Sequence, residues 1–225
     1  MKAQRALMGL GGQIIPRPDD MGPAWSGSQR KCPAQLLKPM KKTYPYAEAL
    51  AVAAQIVGEL QASCDRIHIA GSLRREKPQV GDIEILYVPK QISAEDDMFA
   101  PSKVSAVDAI LEKMLGAGRL TKRLNAFHHA TWGPENKYAV HCASGIPVDF
   151  FATTEACWFN YLVCRTGPLS LNKQIASLAH TRGAKWLSTG EGFLSFGEQR
   201  RIPMRSEQEV FAFVGLEYRE PKQRC

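Results

Sequence analysis

Residues 70–88, AGSLRREKPQVGDIEILYV, constrain the fold of this chain more than any other stretch. An apolar run ends at a Gly-Ser turn, a short basic segment follows, and a second apolar run begins with Asp82 and Glu84 one residue apart. Side chains at positions i and i+2 of a β-strand lie on the same face, so we expect both carboxylates on one face and Ile83 and Ile85 on the other. The stretch therefore predicts strand, turn, short helix and strand, with two like charges held side by side.

The paired carboxylates and the turn before them have a joint chemical interpretation. Hard divalent cations such as Mg²⁺ bind carboxylate oxygens, although a half-exposed strand can carry the same two acids simply as solvated charges. Gly71, Ser72 and Arg75 offer backbone N–H groups, a hydroxyl and a guanidinium at a helix start, which suit a phosphate. A nucleoside triphosphate chelated by magnesium needs both an anion site and a metal site.

A third acid, Asp149, lies inside the apolar strand pattern IPVDFFA. An isolated aspartate in an apolar strand is costly to bury unless it is paired or bound to a metal. If this strand lies beside IEILYV, Asp149 completes a cluster with Asp82 and Glu84 that can hold two Mg²⁺ or Mn²⁺ ions; if it lies at a strand edge, the aspartate is only solvated. Two such ions can bind a triphosphate and lower the pKa of an attacking hydroxyl.

Periodicity along the chain predicts an α+β protein in three parts. Residues 1–44 are rich in Gly, Pro and basic side chains without periodicity, which predicts a flexible basic arm. Residues 45–152 carry helix patterns at their start and over 102–118, a surface loop over 91–101 and several short strands, which predicts a mixed, mostly antiparallel sheet packed on two helices on one face. Residues 153–225 predict a small α+β subdomain of three helices and two short strands.

Composition and charge exclude several classes of protein. No run of about eighteen apolar residues is present, so we expect no membrane-spanning segment, and glycines break the basic start too early for a signal peptide. Six cysteines without a CxxC pair indicate reduced thiols in a cytoplasmic compartment, nucleoid-associated if the chain is bacterial or phage. The net charge of +7 is concentrated at the two ends around a slightly acidic middle, which suits a metal site bordered by nucleic-acid-binding surfaces.

The order of these motifs resembles the DNA polymerase beta, or polymerase X, family of nucleotidyltransferases. The matching elements, in chain order, are Gly71-Ser72, Arg74-Arg75, Gly81-Asp82-x-Glu84 and Asp149. The later segment RTGPLSLNK is similar to the family's entry into the thumb, and SEQEVFAFVGLEYREPKQR is similar to the family's C-terminus. The resemblance spans residues 45–225 and implies a nucleotidyltransferase palm over 45–152 and a thumb over 153–225.

The resemblance also implies an activity and its residues. A monomer would transfer a nucleoside monophosphate from a (d)NTP to a DNA primer 3′ hydroxyl by two-metal catalysis, in short-gap repair on gapped or primer-template DNA. The implied contacts form four groups: Asp82, Glu84 and Asp149 for catalysis and metal binding; Gly71, Ser72, Arg75 and Gly81 for the triphosphate; Arg165, Thr166, Gly167 and Asn172 for the sugar and base; and Lys173, Arg182, Lys185, Arg200 and Arg201 for DNA.

Several positions depart from the family pattern. Glu84 stands where aspartate is usual, and Pro147 where an arginine is common. Cys164 and Arg165 replace an aromatic pair that helps exclude a ribose 2′ hydroxyl, and Ala176 replaces a basic residue expected to touch the template strand. Two other functions therefore stay open: a transferase that adds nucleotides without a template to RNA, protein or a small molecule, and a catalytically inactive nucleic-acid-binding protein. The arm has no helix-hairpin-helix pattern, so we expect no lyase activity.

Two groups of residues in and between the predicted strands can each be interpreted as functional or as merely structural. His128 and His129 could stack on a base or reach a phosphate, or they are solvated loop residues. Arg119, Lys122 and Arg123 form a basic strand edge, which solvated charge and protection of the sheet edge explain equally well.

Overall fold

The structure, a computed structural model, describes residues 42–93 and 103–224. The predicted arm over 1–44 therefore lies outside the described residues except for its last three positions. In the described ranges the helices are α1 (Tyr46–Leu60), α2 (Gly71–Arg74), α3 (Ala106–Gly116), α4 (Trp158–Thr166), α5 (Leu169–Thr181) and α6 (Glu207–Phe213), with 3₁₀ turns at Gln61–Ser63, Glu155–Cys157 and Pro221–Gln223. The strands are β1 (Tyr44–Pro45), β2 (Cys64–Ile69), β3 (Gln79–Val80), β4 (Ile83–Pro89), β5 (Gln91–Ser93), β6 (Lys103–Ser105), β7 (Leu120–Lys122), β8 (Asn136–His141), β9 (Pro147–Ala152), β10 (Ala184–Trp186), β11 (Phe193–Ser195) and β12 (Arg201–Ile202).

A five-stranded sheet in the order β2-β4-β9-β8-β7 is the frame of the molecule. The pair β4–β9 is parallel, and the other three pairs are antiparallel. Parallel neighbours cannot be joined by a tight turn, and here α3, β7 and β8 lie between β4 and β9 in the chain. The predicted α+β class with a mixed, mostly antiparallel sheet is confirmed.

One face of this sheet packs on α1 and α3. The apolar positions of both helices recur at helical spacing, and Ile56 of α1 and Leu111 of α3 join Ile83, Ile85 and Phe150 of the sheet in one buried cluster. All five side chains are almost fully inaccessible to water. Burial of this kind is worth roughly 1.5–3 kcal/mol per large apolar side chain, so this cluster fixes which face of β4 points inward.

The opposite face of the sheet is also covered, which corrects the prediction that helices pack on one face. Leu86 and Phe151 lie in a second cluster with Trp158 and Leu162 of α4. The physical reason is in the sequence of β4, because beyond Glu84 the strand is apolar on both faces. A strand of this composition has to be buried on both sides. The face that carries Glu84 is thus the face that α4 covers farther along the strand.

The C-terminal part forms its own apolar core. The strands β10, β11 and β12 make an antiparallel sheet, of which only the first two strands were predicted. Ile175 of α5, Phe193 of β11 and Phe211 of α6 pack together in this core. Val163 of α4 joins the same core, whereas Leu162 faces the large sheet. Helix α4 therefore links the large sheet to the C-terminal core.

The secondary structure on either side of the predicted surface loop differs from the prediction. Gln91 pairs with Ser105 and Ile92 with Val104, so that β5 and β6 form a two-stranded ladder, whereas the sequence predicts a loop for the first and helix for the second. Helix α3 consequently begins only at Ala106. The remainder of the predicted loop lies outside the described residues. Among the helices of the described ranges, none has the length and apolar character needed to cross a membrane.

Candidate functional site

Two of the predicted acids are direct neighbours across the sheet. In the parallel pairing of β4 with β9, Glu84 is the partner of Asp149, while Ile85 is the partner of Phe150. Paired residues of adjacent strands point to the same face, so the two carboxylates share one face of the sheet. Glu84 is half-buried and Asp149 is 9% exposed. The sequence left the pairing of these strands open, and the structure has them adjacent.

The third acid, Asp82, directly precedes β4 and acts electrostatically on both neighbours. The pKa of Glu84 is raised to about 7, chiefly by burial and next by the charge of Asp82. Burial also raises the pKa of Asp149, and Asp82 again adds to the shift, although Arg123 opposes it. Two buried carboxylates whose ionised forms are disfavoured by a third are a typical sign of a functional site, because such a cluster is stabilised by a bound cation.

The Gly-Ser turn lies directly against this acid cluster. Gly71 has a φ of +64°, a conformation that favours glycine, and a Cβ atom at this position would lie 2.6 Å from Oε2 of Glu84. The hydroxyl of Ser72 is buried and has no hydrogen-bond partner among the described residues. Because α2 has only four residues, the anion-binding capacity of this turn comes from the Ser72 hydroxyl and from Arg75 rather than from a helix dipole.

A pocket of about 330 Å³ brings most of the predicted contacts together. Its walls come from α2, the start of β4, the end of α4 and the start of α5. The lining residues are Ser72, Arg75, Asp82, Glu84, Cys164, Arg165, Gly167, Pro168, Leu169 and Asn172. Seven of them are predicted contacts for triphosphate, metal, sugar or base. The volume is at the lower end of the range for small-molecule sites.

Arg165 is held firmly at the edge of this pocket. Its guanidinium carbon lies 3.5 Å from the centroid of the Phe151 ring, and Nη2 donates a hydrogen bond to the Tyr161 hydroxyl at 3.1 Å. Its charge acts on both Glu84 and Asp149. Arg165 also lines a larger pocket of about 620 Å³ that contains none of the predicted acids. A fixed cation therefore lies beside the acid cluster, at a position that the sequence predicts as a contact for the sugar and base.

Asp149 is paired with a residue that the sequence did not identify as part of the site. Nη1 of Arg123 lies 2.8 Å from Oδ1, and Nη2 donates a hydrogen bond to Oδ2 at 3.1 Å. Only the second contact has hydrogen-bond geometry, so the buried Oδ1 has no hydrogen-bond partner among the described residues. The sequence predicts Arg123 only as part of a basic strand edge, and a contact between strands that are distant in the chain leaves no local signal.

The acid cluster fits a hard divalent cation in donor type. Its three carboxylates offer only oxygen ligands, Glu84 and Asp149 share a face of the sheet, and the buried Oδ1 of Asp149 has no hydrogen-bond partner among the described residues. In the described part of the chain, however, no group of three or more His, Cys, Asp or Glu side chains is arranged to hold a metal ion. Arg123 contacts both oxygens of Asp149 in this arrangement, and the carboxylate of Glu84 packs against Gly71. Binding would require these side chains to turn.

Four predicted contacts do not line the pocket: Asp149, which lies beside Glu84 on the sheet, and Gly71, Gly81 and Thr166. Thr166 is fully buried. Its hydroxyl accepts a hydrogen bond from Nη1 of Arg74 at 2.7 Å, and its carbonyl accepts one from Arg75. The backbone of Thr166 thus holds a pocket residue in place, but its side chain is turned away. Gly71 and Gly81 flank the acids without lining the cavity.

The predicted DNA contacts lie on the C-terminal part and are all exposed. Lys185 of β10 and Arg201 of β12 are the partners of Leu194 on the central strand β11, so both side chains share one face of the small sheet. Arg201 lies 3.7 Å from Glu191, and Arg200 lies 3.2 Å from Glu198. Lys173 and Arg182 lie on α5 and at its C-terminal end. These residues form an exposed basic surface that is separate from the pocket lining.

The fold and the pocket define an α+β protein in which Glu84 and Asp149 share one sheet face, next to Asp82 and the Gly71-Ser72 turn. Comparison with protein families adds a particular similarity, since residues 161–225 match the model of the DNA polymerase beta thumb. The match covers α5, α6 and the small sheet, and it supports the polymerase beta family at a coarse level for this part of the chain. No curated protein gives a significant match to the chain.

Proposed function

We propose that the chain is a nucleotidyltransferase of the polymerase X type, which transfers a nucleoside monophosphate from a (d)NTP to the 3′ hydroxyl of a DNA primer. The observation that carries the proposal is the parallel pairing of Glu84 with Asp149 beside the Gly71 turn. This pairing puts Asp149 beside Glu84, which lines one pocket together with Ser72 and Arg75. The thumb similarity of residues 161–225 supports DNA as the acceptor.

The triphosphate is assigned to the side of the pocket formed by α2. The unpaired hydroxyl of Ser72 and the guanidinium of Arg75 face this cavity and would bind phosphate oxygens. Gly71 lets the backbone approach closely, because any side chain there would collide with Glu84. Gly81 would keep the backbone before Asp82 open to the same phosphates.

The acids would hold the catalytic cations and prepare the attacking hydroxyl. Asp82, Glu84 and Asp149 are the ligands proposed for two Mg²⁺ or Mn²⁺ ions, which would neutralise phosphate charge and lower the pKa of the primer hydroxyl. Asp149 would accept the proton of the 3′ hydroxyl at Oδ1, which has an ion-pair contact with Arg123 but no hydrogen-bond partner among the described residues. The chain's contribution is the positioning and charge neutralisation that phosphoryl transfer requires.

The sugar, the base and the DNA are assigned to residues around and beyond the pocket. Arg165, Gly167 and Asn172 line the cavity and would contact the nucleotide. The exposed basic surface would follow the DNA backbone through Lys173, Arg182, Lys185, Arg200 and Arg201. Filling of short gaps by a monomer is the proposed setting for this chemistry.

A second function, addition of nucleotides without a template, is favoured by one observation. Ala176 is exposed on α5 and offers only a methyl group where a basic template contact is expected. Arg165 likewise occupies a position that is aromatic in the polymerase pattern. A catalytically inactive nucleic-acid-binding protein is less consistent with Glu84 and Asp149 side by side on one face of the sheet.

Primer extension distinguishes these functions. We expect products on gapped and recessed DNA whose length and sequence follow the template, in Mg²⁺ or Mn²⁺ and with each deoxynucleotide and ribonucleotide tested separately. Extension of single-stranded DNA with no dependence on a template would identify the transferase. Absence of product on every acceptor, together with retained DNA binding, would leave the inactive binding protein and refute the proposal.

A further inference from the structure

Arg123 lies directly after β7 and reaches across the sheet to the acid cluster. Its backbone N–H donates a hydrogen bond to the carbonyl of Tyr138 at 2.9 Å, which continues the pairing with β8 beyond the end of the strand. Tyr138 is in turn the partner of Asp149 on β9. The guanidinium lies 4.9 Å from the centroid of the Tyr138 ring. The side chain therefore passes over this ring to meet Asp149, and the ring limits the directions it can take.

The contact with Asp149 sets the direction of the carboxylate. A planar guanidinium that faces both oxygens of a carboxylate fixes its orientation as well as its charge. Because Asp149 is the partner of Glu84, the same contact also sets the direction of Asp149 relative to Glu84. The absence of a hydrogen bond at Oδ1 leaves lone pairs of this buried atom available to a cation or a proton.

The charges around the acids show why a counter-ion is needed here. A buried carboxylate without a compensating charge is strongly destabilising. The charge of Arg75 acts on Glu84, and the charges of Arg123 and Arg165 act on Asp149. Arg123 contacts both oxygens of Asp149 and remains about one third exposed, so it can move without disturbing the core.

We propose that Arg123 is a positioning residue of the nucleotidyl-transfer site and the counter-ion of Asp149 when no divalent cation is bound. The proposal rests on the proposed function of the site. The planar fork of Arg123 aligns the carboxylate with Glu84, and its charge stabilises the ionised Asp149 inside the sheet. The same charge would weaken cation binding at Oδ1. Arg123 therefore favours catalysis through alignment while it lowers the affinity for the metal.

Arg119 provides a matched control. It forms the same kind of fork-to-carboxylate pair with Glu59, in which Nη1 lies 2.8 Å from Oε2 and Nη2 lies 2.5 Å from Oε1. Arg119 lies directly before β7 and Arg123 lies directly after it, and the two side chains are exposed to a similar extent. Glu59 belongs to α1, which packs on the other face of the sheet from Asp149. Loss of Arg119 thus removes an equivalent ion pair without touching the site.

The test compares Arg123→Gln, Arg123→Lys and Arg119→Gln with the full wild-type chain. Calorimetric titration with Mn²⁺ alone gives the metal affinity, and single-turnover extension of a gapped primer gives the rate. Removal of the positive charge that contacts Asp149 should tighten Mn²⁺ binding of Arg123→Gln about threefold or more. Loss of carboxylate alignment should slow its incorporation at least about tenfold. Arg119→Gln should change neither quantity.

The lysine variant separates charge from orientation. Arg123→Lys keeps the positive charge but lacks the planar fork, so its Mn²⁺ affinity should stay at the wild-type value while incorporation is slowed. Equal Mn²⁺ affinity and rate in Arg123→Gln and Arg119→Gln would overturn the inference. If the glutamine variant does not fold, a wild-type rate in the folded Arg123→Lys would overturn it as well. A wild-type chain that binds no Mn²⁺ and extends no primer would instead refute the proposed function, before any substitution is considered.

Discussion

Glu84 connects strand β4 to the Gly71-Ser72 turn through its side chain. Its side chain is one methylene longer than that of the aspartate usual in the polymerase pattern, and its Oε2 reaches the space beside Gly71. Burial and the charge of Asp82 together raise its pKa to about 7, whereas Arg165 and Arg75 lower it. Glu84 therefore changes its charge in the physiological range when no cation is bound.

This pKa predicts a pH dependence of stability. Glu84 has a pKa of about 7 in the folded chain against an ordinary value of 4.5, so the folded chain binds this proton more tightly than the unfolded chain. The resulting stabilisation is fully present below the unfolded value and is lost as the pH rises through 7. In chelator, the free energy of unfolding of Glu84→Gln should exceed that of wild type by about 1–3 kcal/mol at alkaline pH, with no such gain in acid.

Chemical denaturation in acidic and in alkaline buffer measures this difference. Glu217→Gln is the matched control, since Glu217 is exposed on the C-terminal part and its substitution should leave the difference between the two buffers unchanged. A Glu84→Gln variant that follows wild type at both pH values would show that Glu84 is not desolvated in the folded chain.

At the scale of elements, a buried ion network joins α2, α4 and α6. Arg74 of α2 bonds both the hydroxyl of Thr166 in α4 and the carboxylate of Glu207 in α6. Arg224 donates to the other oxygen of Glu207 at 2.6 Å. Burial opposes ionisation of Glu207, but the hydrogen bond and charge of Arg74 and those of Arg224 outweigh it and lower the pKa. Helix α2, which begins at the Gly71-Ser72 turn, is thereby tied to the C-terminal part.

Substitution of Glu207 should be far more damaging than its size suggests. Glu207→Ala leaves two arginines in the interior without their counter-charge, and we expect a loss of about 3–5 kcal/mol in the free energy of unfolding. Urea denaturation measures the loss, with Glu217→Ala as the exposed counterpart, for which we expect a change within about 0.5 kcal/mol. Similar small losses in both variants would mean that the network contributes little to stability.

The elements also show where sequence patterns suffice and where they do not. Helix α1 and strand β4 bury enough apolar side chains at regular spacing to be predicted from periodicity alone. The three-residue strands β5 and β6 have too few positions to show a period, and their structure depends on pairing with each other. The apolar residues on both faces of β4 require that the second face of the sheet is covered as well. The sequence does not show which element covers it, and the structure shows that α4 does.

The candidate site was predictable to the extent that its motifs are local. The turn at Ser72 and the pair Asp82 and Glu84 are close in the chain, so their chemistry is visible in the sequence. The contact of Arg123 with Asp149 depends on the order of strands β7, β8 and β9 and has no local signature. The side chain of Thr166 is likewise placed by Arg74, a partner far away in the sequence.

At the scale of the whole molecule, chemistry and DNA binding are assigned to separate regions. The acid cluster lies on the large sheet, whereas the exposed basic surface lies on the C-terminal part that matches the polymerase beta thumb. Helix α4 packs against both cores and ends at the pocket. A movement of the C-terminal part would therefore displace Arg165 and Gly167, which line the pocket, relative to the acids.

The central claim is that the acid cluster of Asp82, Glu84 and Asp149 performs nucleotidyl transfer. Single-turnover primer extension by Asp149→Asn tests it most directly, because asparagine is nearly the same size but lacks the charge that binds a cation and accepts a proton. Asp65→Asn, an exposed change on the neighbouring strand β2, is the control. The account predicts a rate at least about a thousandfold below wild type, with DNA affinity unchanged and the control at the wild-type rate. Incorporation by Asp149→Asn at the rate of Asp65→Asn would contradict it.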